Sequence, residues 1–172
     1  MRNLLPFVGI ALLAYLMLCA WVFATQRAQI YFPTPASDAA DAQALWIESQ
    51  GERIKVWAVA RPGPRALVYF GGNAEDTGAN LADFRHVFPA HSLYLVNYRG
   101  YDGSTGEPSE AALYADAEAI YDALRLRHPA SGVSVIGRSL GSGVATHLAS
   151  VREVRRLVLV TPFDSLVDVA RQ

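Results

Sequence analysis

Hydrophobic positions along the chain form one long uncharged run, followed by short apolar runs between helical patterns. The run from Leu4 to Ala24 contains no charged residue, and as an α-helix it would be about 31 Å long, close to the ~30 Å hydrocarbon core of a bilayer. We therefore expect a transmembrane anchor over residues 1–27. A cleaved signal peptide is the alternative, because Arg2 precedes the run and Ala24 could end a cleavage site; its apolar region is normally shorter, at ~7–15 residues.

The segment after this run predicts a spacer and then an α/β domain. Residues 28–44 mix Pro33 and Pro35 with small residues and are typical of a stalk. Short β-type runs follow at 45–49, 54–60, 66–70, 93–96, 133–136 and 157–160. Gln50-Gly51 lies between the first two runs, so we expect a hairpin there.

Helical spacing separates the later strands. Apolar residues recur at helical intervals over 81–88, 113–124 and 140–151, and Ser109 is placed to cap the second of these helices. Alternation of strands and helices predicts a three-layer α/β/α domain with a mostly parallel sheet over residues 45–172.

Composition excludes several classes of function. With 15 basic and 16 acidic residues the net charge is −1, so no basic field is available to hold nucleic acid. The single cysteine, Cys19, excludes a disulfide framework within the chain and a cysteine-rich metal site. No metal-ligand cluster has suitable spacing, and we expect neither a metal nor an organic cofactor.

Residues 137–141 read Gly-Arg-Ser-Leu-Gly and fit the G-x-S-x-G pattern. An apolar strand precedes the pattern and a helical stripe follows it, as a nucleophile elbow requires. In such an elbow Gly137 and Gly141 avoid clashes, and the hydroxyl of Ser139 stands above the sheet beside the first amides of the helix, including that of Leu140. The alternative is a tight βα turn in which Ser139 is an ordinary helix cap.

A second glycine-rich loop follows the third strand. Gly71 and Gly72 let the backbone approach a ligand closely, so the Asn73 amide could pair with that of Leu140 around a developing oxyanion. The alternative is a turn that caps the next helix through Asn73 or Asp76.

Together these segments resemble the α/β-hydrolase superfamily, and within it the membrane-anchored serine hydrolases related to protein depalmitoylases. The likeness rests on residues 69–74, 97–101, 103–110 and 137–143, with a weaker match at 161–166. Relatives usually carry His where Gly71 stands, which bears on the rigidity of the oxyanion loop. They often carry Gly where Asp102 stands, which we expect to alter a surface turn.

The resemblance implies a triad in the chain order Ser…Asp/Glu…His. Ser139 is the expected nucleophile. Asp164, after the sixth strand, is a candidate acid, although a local cap or turn former is the favoured interpretation of it; Asp168 is a weaker candidate. No histidine follows His147, which lies about two helical turns, roughly 12 Å, from Ser139. We expect His86, His91 and His128 to be structural.

The family would add two further strands, the usual acid and the histidine after this sequence, so we expect a partial hydrolase domain whose last strands are missing. The implied function is cleavage of an ester or thioester, including those of lipidated substrates, through an acyl-enzyme on Ser139, impaired in this chain. A non-catalytic membrane-tethered module and a serine peptidase remain alternatives.

Arg138 is expected to form a salt bridge at the site rim or to orient a substrate anion. The expected location is a bacterial inner membrane with a periplasmic domain.

Overall fold

Two compact units make up the chain, one of residues 1–32 and one of residues 33–172. Their structure is a computed structural model that describes residues 5–39, 42–62, 65–129 and 132–163. The first unit is helix α1, Leu5–Ile30, which is long and apolar enough to cross a membrane. It continues past the predicted end of the anchor, because Ala, Gln and Arg after Thr25 are good helix formers.

The second unit is built on a six-stranded mixed sheet. Its strands are β1 (Gln43–Ser49), β2 (Glu52–Val59), β3 (Ala66–Phe70), β4 (Ser92–Val96), β5 (Val133–Arg138) and β6 (Arg156–Val160). The spatial order is β1-β2-β4-β3-β5-β6, in which β4, β3, β5 and β6 are parallel and β1 and β2 are antiparallel to their neighbours. The predicted hairpin is confirmed: Gln50 and Gly51 both have positive φ, 51° and 84°, which suits a two-residue turn.

Helices cover both faces of this sheet, which confirms the three-layer prediction. They are α2 (Leu81–Val87), α3 (Glu110–Arg127) and α4 (Leu140–Val151). Side chains of β5 alternate between faces: Ile136 packs in the cluster that Phe84 of α2 joins, whereas Gly137 faces Ala145 of α4. The predicted cap of α3 is confirmed, since Ser109 Oγ accepts a hydrogen bond from Ala112 N.

Strand β6 forms one edge of the sheet. It pairs with β5 on one side, and its four apolar side chains remain 37–47% exposed among the residues that the structure describes. Strand β6 is therefore an apolar edge strand within the described part of the domain.

The segment before β1 is held against the domain by a buried carboxylate. Asp102 is fully buried and accepts hydrogen bonds from Ser37 N and Oγ, at 2.5 and 2.9 Å, and from Trp57 Nε1 at 2.8 Å. It also pairs with the chain's single lysine, Lys55, at 3.3 Å.

The stretch 28–44 is thus not one continuous stalk, because its first residues complete α1 and Ser37 belongs to the domain. The expectation that Asp102 shapes a surface turn is wrong, since its carboxylate is buried among donors.

Replacement of Asp102 by Asn should destabilise the domain. Asparagine tolerates the φ of 46° at this position but leaves the Lys55 ammonium buried without its counter-charge. We expect the free energy of unfolding to fall by about 3–5 kcal/mol. Urea unfolding of the full chain in detergent measures this. The exposed Asp38, in the same segment, supplies the control Asp38→Asn, which should change it by less than about 0.5 kcal/mol. Equal stabilities of the two variants would contradict the assignment.

Candidate active site

Ser139 lies on a sharp turn between β5 and α4. Its φ of 48° and ψ of −116° place it outside the regions that L-residues normally occupy. Strand β5 ends at Arg138, where the ladder to Val160 of β6 also ends, and α4 begins at Leu140. The turn therefore reverses the backbone within one residue and leaves the Ser139 side chain half-buried at the carboxyl edge of the sheet.

Both glycines of the motif are required by backbone packing. A Cβ on Gly141 would lie 2.0 Å from Phe70 O, and a Cβ on Gly137 would lie 2.3 Å from Gly141 O and 2.6 Å from Ala145 Cβ. Such distances do not occur in folded proteins, so any side chain here would push α4 away from β3 and β5. This packing agrees with the expectation that glycine at positions 137 and 141 avoids steric clashes.

The Ser139 side chain does not cap the helix that follows it. No side-chain capping hydrogen bond is formed at Ser139, and the Ser139 carbonyl instead accepts Ser142 N at 2.8 Å and Ser142 Oγ at 2.6 Å. An ordinary capping serine would bond to an amide of the first helical turn. The helix-cap alternative is therefore not supported, and the hydroxyl is available for other chemistry.

Residues 71–74, the oxyanion loop, lie beside this serine. A Cβ on Gly72 would be 3.7 Å from Ser139 Cβ. The Gly71 carbonyl accepts hydrogen bonds from Gly141 N at 3.1 Å and from Tyr98 Oη at 2.8 Å, which ties the loop to the first turn of α4. The loop and the elbow thus share a backbone hydrogen bond.

The two expected oxyanion donors occupy different surroundings. Leu140 N–H opens α4 and has no hydrogen-bond acceptor among the residues that the structure describes. Asn73 is held by its side chain, whose Oδ1 accepts Tyr101 Oη at 2.7 Å and Ala74 N at 3.1 Å. These contacts fix the loop around Asn73, whose side-chain oxygen caps no helix. The capping alternative is confirmed for Asp76, which caps the short 3-10 helix Thr77–Asn80: its Oδ1 accepts Gly78 N at 3.0 Å.

Backbone strain gathers at this edge of the sheet. Five non-glycine residues among those described have positive φ, and three of them follow β3, β5 and β6 directly or within a few residues: Ala74, Ser139 and Thr161. Each such residue costs about 1–3 kcal/mol and persists where the surrounding structure enforces it, most often at functional sites. Three of the five strained residues among those described thus lie at the carboxyl edge of the sheet, where the candidate nucleophile is.

A network of charged and phenolic groups flanks the serine. Arg138 Nη1 lies 3.4 Å from Glu75 Oε2, so the expected salt bridge at the rim is present. Glu75 also raises the pKa of the Arg138 guanidinium, chiefly by its charge. Burial, and then the hydrogen bond to Glu75, raise the pKa of Tyr69 far above its usual range. Both Tyr69 and Arg138 therefore keep their protons at every physiological pH.

Comparison with known proteins identifies the family. A family model described as alpha/beta hydrolase fold matches residues 66–172. The chain belongs to the α/β-hydrolase fold family. It is 36% identical to the Mycobacterium tuberculosis protein Rv2307c over 96% of this chain and 63% of that protein. It is also 36% identical to human Protein ABHD12B, over 63% of this chain and 32% of the relative.

Among solved structures, the chain resembles XC6422 from Xanthomonas campestris, described as an α/β serine hydrolase without lid. The TM-score is 0.61 at 17% identity, and the match covers 77% of this chain and 63% of that one. At this identity the likeness supports the fold alone. The chain spans less than two thirds of the length of Rv2307c.

None of the chain's four histidines, all of them described, is placed beside Ser139. His91 and His128 precede β4 and β5, at the amino-terminal ends of these strands, and His128 Nε2 lies 2.8 Å from Tyr94 Oη. His147 Nε2 lies 2.9 Å from Glu118 Oε1, and its ring stacks on Tyr114. His86 is exposed in the last turn of α2. Side-chain contacts thus hold His128 and His147 in place, whereas His86 is exposed.

The candidate acid, Asp164, lies outside the described residues, as does Asp168. Among the residues that are described, no group of three or more His, Cys, Asp or Glu side chains could hold a metal ion.

Three residues of the site were not singled out from the sequence: Glu75, Tyr98 and Tyr101. The tyrosines lie in segment 97–101, which carries part of the family resemblance, but their hydroxyls reach the oxyanion loop across more than 25 positions of sequence. Glu75 follows Gly72 by three residues and accepts its amide, which is the spacing of a local side-chain turn. That three-residue spacing is the sequence feature from which the hydrogen bond of Glu75 to the loop could have been predicted.

Substitution of the elbow glycines should separate packing from helix propensity. Gly141→Ala places a Cβ 2.0 Å from Phe70 O, and we expect the free energy of unfolding to fall by more than about 3 kcal/mol. A Cβ on Gly143, two residues further along the same helix, would meet no atom within 4 Å. Gly143→Ala should therefore leave stability unchanged or raise it by up to about 1 kcal/mol. Thermal unfolding measures both, and equal effects would contradict the packing described here.

Proposed function

We propose that this hydrolase attacks an ester or thioester carbonyl with Ser139 Oγ and forms an acyl-enzyme. The observation that carries the proposal is the strained turn at Ser139, with glycines required on both sides and the Leu140 amide unengaged among the described residues. A strained strand-to-helix turn that presents a hydroxyl is the device by which this fold exposes a nucleophile. Membership of the α/β-hydrolase fold family supports the same reaction class.

The first step forms a bond from Ser139 Oγ to the carbonyl carbon and places negative charge on the carbonyl oxygen. Leu140 N–H and Asn73 N–H are the proposed donors to this oxyanion, and the amino-terminal end of α4 favours the charge through its dipole. Collapse of the tetrahedral intermediate expels the alcohol or thiol, and water later releases the acyl group. Removal of one such donor in other hydrolases costs about 10²–10³ in rate.

The proposed reaction also needs a proton acceptor. The Oγ proton needs a base, and no histidine of residues 1–172 contacts Ser139. Asp164 is our proposed acid of the triad. Loss of a triad member typically lowers the rate by about 10⁴–10⁶, with about 10³–10⁴ over the uncatalysed reaction retained through oxyanion stabilisation and binding. We therefore propose weak acyl transfer for this chain by itself.

The apolar helix supports a membrane-tethered site. Helix α1 is long and uncharged enough to span a bilayer, and we propose that it anchors the domain in a bacterial inner membrane, with the domain in the periplasm. A tethered hydrolase meets acylated lipids and lipidated proteins at high local concentration. Acyl esters and thioesters, including those of lipidated molecules, are accordingly the proposed substrate class.

A non-catalytic, membrane-tethered binding module is the second candidate. Among the residues that the structure describes, no histidine contacts Ser139, and this observation favours the binding module. The two candidates differ in the reactivity of Ser139, which the following experiment measures.

A fluorophosphonate probe should modify Ser139 selectively, although slowly. We expect labelling of Ser139 in the full chain to exceed that of the exposed Ser150 on the same helix by about 10³-fold, because oxyanion stabilisation survives without the base. Peptide mass spectrometry locates the adduct; Ser139→Ala should abolish it, and Ser150→Ala should leave it unchanged. Labelling of Ser139 no faster than that of Ser150 would instead support the binding module.

The anchor proposal predicts an intact amino terminus in the membrane fraction. After expression in a bacterium, the chain should resist alkaline carbonate extraction and keep its full mass of 18.7 kDa, since an uncleaved helix holds it in the bilayer. Intact-mass spectrometry and protease protection of spheroplasts measure cleavage and orientation. A soluble product shortened by about the length of α1 would identify a signal peptide, and protection of the domain from external protease would contradict the periplasmic orientation.

A further inference from the structure

Glu75 is a nearly buried carboxylate at the centre of the network beside Ser139. Its side chain is 12% exposed. Its Oε1 accepts hydrogen bonds from Tyr69 Oη at 2.7 Å and from Asn80 Nδ2 at 2.5 Å. Its Oε2 accepts Gly72 N at 2.5 Å and lies 3.4 Å from Arg138 Nη1. Each carboxylate oxygen therefore serves two partners.

All of these partners are hydrogen-bond donors. An ionised carboxylate only accepts hydrogen bonds, so it can satisfy all four donors together: the amide N–H, the carboxamide NH₂, the guanidinium and the phenol hydroxyl. A glutamine at the same place would turn its own NH₂ towards one pair of donors, whichever way its amide faced. The site is thus built for a negative charge, not merely for a polar side chain of this size.

The carboxylate acts on the peptide that joins the loop to the elbow. Gly71 C=O and Gly72 N–H belong to one planar peptide group. Its oxygen accepts Gly141 N and Tyr98 Oη, and its N–H donates to Glu75. The peptide is therefore held on both sides, and rotation of its plane would break hydrogen bonds to α4 and to Glu75 at once.

Glu75 also explains the glycine at position 71. A Cβ on Gly71 would lie 2.9 Å from Thr77 Cγ2 and 3.3 Å from Glu75 Cδ and Oε2. The carboxylate and the Thr77 methyl thus occupy the space into which a side chain at position 71 would project. Glycine at 71 and glutamate at 75 form a matched pair in this chain.

We propose that Glu75 is a positioning residue, which fixes the 71–72 peptide and Arg138 so that the oxyanion loop keeps its place against Ser139, and that it requires glycine at position 71. The catalytic consequence rests on the proposed function, because loop placement matters to the rate only if Ser139 is a nucleophile. Misplacement of a reacting group by about 1 Å can cost about 10²-fold in rate.

The principal test compares Glu75→Gln with wild type in the full chain in detergent micelles. Two quantities are measured: the rate of fluorophosphonate modification of Ser139, separated into its maximal rate and its half-saturating probe concentration, and the hydrogen-exchange rate of the Gly72 amide by NMR. We expect the maximal rate to fall about tenfold or more, the half-saturating concentration to change less than about twofold, and Gly72 exchange to accelerate at least about tenfold. The exposed Asp83, on α2, supplies the matched control Asp83→Asn, for which both quantities should stay at wild-type values.

A second comparison does not depend on Glu75→Gln folding well. Thr77→Ser removes the Cγ2 methyl and keeps the hydroxyl that donates to Asn97 Oδ1. In that background, Gly71→Ala presses on Glu75 alone and should also lower the maximal labelling rate about tenfold. Where the Gly71→Ala and Glu75→Gln changes can be combined, their effects should be clearly less than multiplicative, because both act through the same contact.

The outcomes separate this inference from the function on which it rests. Absence of selective labelling of wild-type Ser139 would overturn the proposed function and, with it, the catalytic part of the Glu75 inference. Normal wild-type labelling with unchanged maximal rate and unchanged Gly72 exchange in Glu75→Gln would overturn the Glu75 inference alone. Multiplicative effects of the two substitutions, or a Gly71→Ala variant with wild-type labelling in the Thr77→Ser background, would overturn the pairing of Gly71 with Glu75.

Discussion

Close backbone contact between the start of α4 and the end of β3 is the constraint on which the rest of the site depends. Gly141 packs so near Phe70 that a methyl group would overlap the Phe70 carbonyl. At that distance Gly141 N also reaches the Gly71 carbonyl. Gly141 therefore does two things: its lack of a side chain allows the close approach, and its amide forms a hydrogen bond. Together these fix the position of the elbow relative to the oxyanion loop.

The fold supplies the rest of the arrangement. Strands β3 and β5 are parallel neighbours, so their carboxyl ends lie side by side, and the register that pairs Phe70 with Gly137 brings the two loops to the same level. Burial on both faces gives these strands a rigid base. The unfavourable backbone angles of Ser139 and Ala74 can then be held by packing and hydrogen bonds made elsewhere.

Local pattern was sufficient to predict much of the fold and part of the site. The continuous apolar run at 66–70 predicts β3 residue for residue, because a strand buried on both faces needs apolar side chains throughout. Strand β5 extends beyond its apolar run to Arg138, since Gly137 and Arg138 continue the ladder to β6. The glycines of the elbow were predictable because their steric role is local.

Side-chain networks were not predictable in the same way. Asp102 binds Ser37, which is 65 positions away, and Tyr101 reaches Asn73 across 28. Such pairs depend on the tertiary arrangement, and neither hydrophobic periodicity nor a short motif encodes them. Asp102 looked like a turn residue for this reason, although it anchors the segment before β1. Glu75 was not predicted because the segment that carries the family resemblance in that loop, residues 69–74, ends at Ala74.

A solved structure of the chain after phosphonylation of Ser139 would test the central claim most directly, because the adduct places an oxygen where the oxyanion would form. The account predicts positive φ at Ser139 and the phosphonyl oxygen about 2.7–3.1 Å from the amide nitrogens of Leu140 and Asn73. A Ser139 with helical backbone angles, or an adduct oxygen directed into solvent away from both amides, would contradict it.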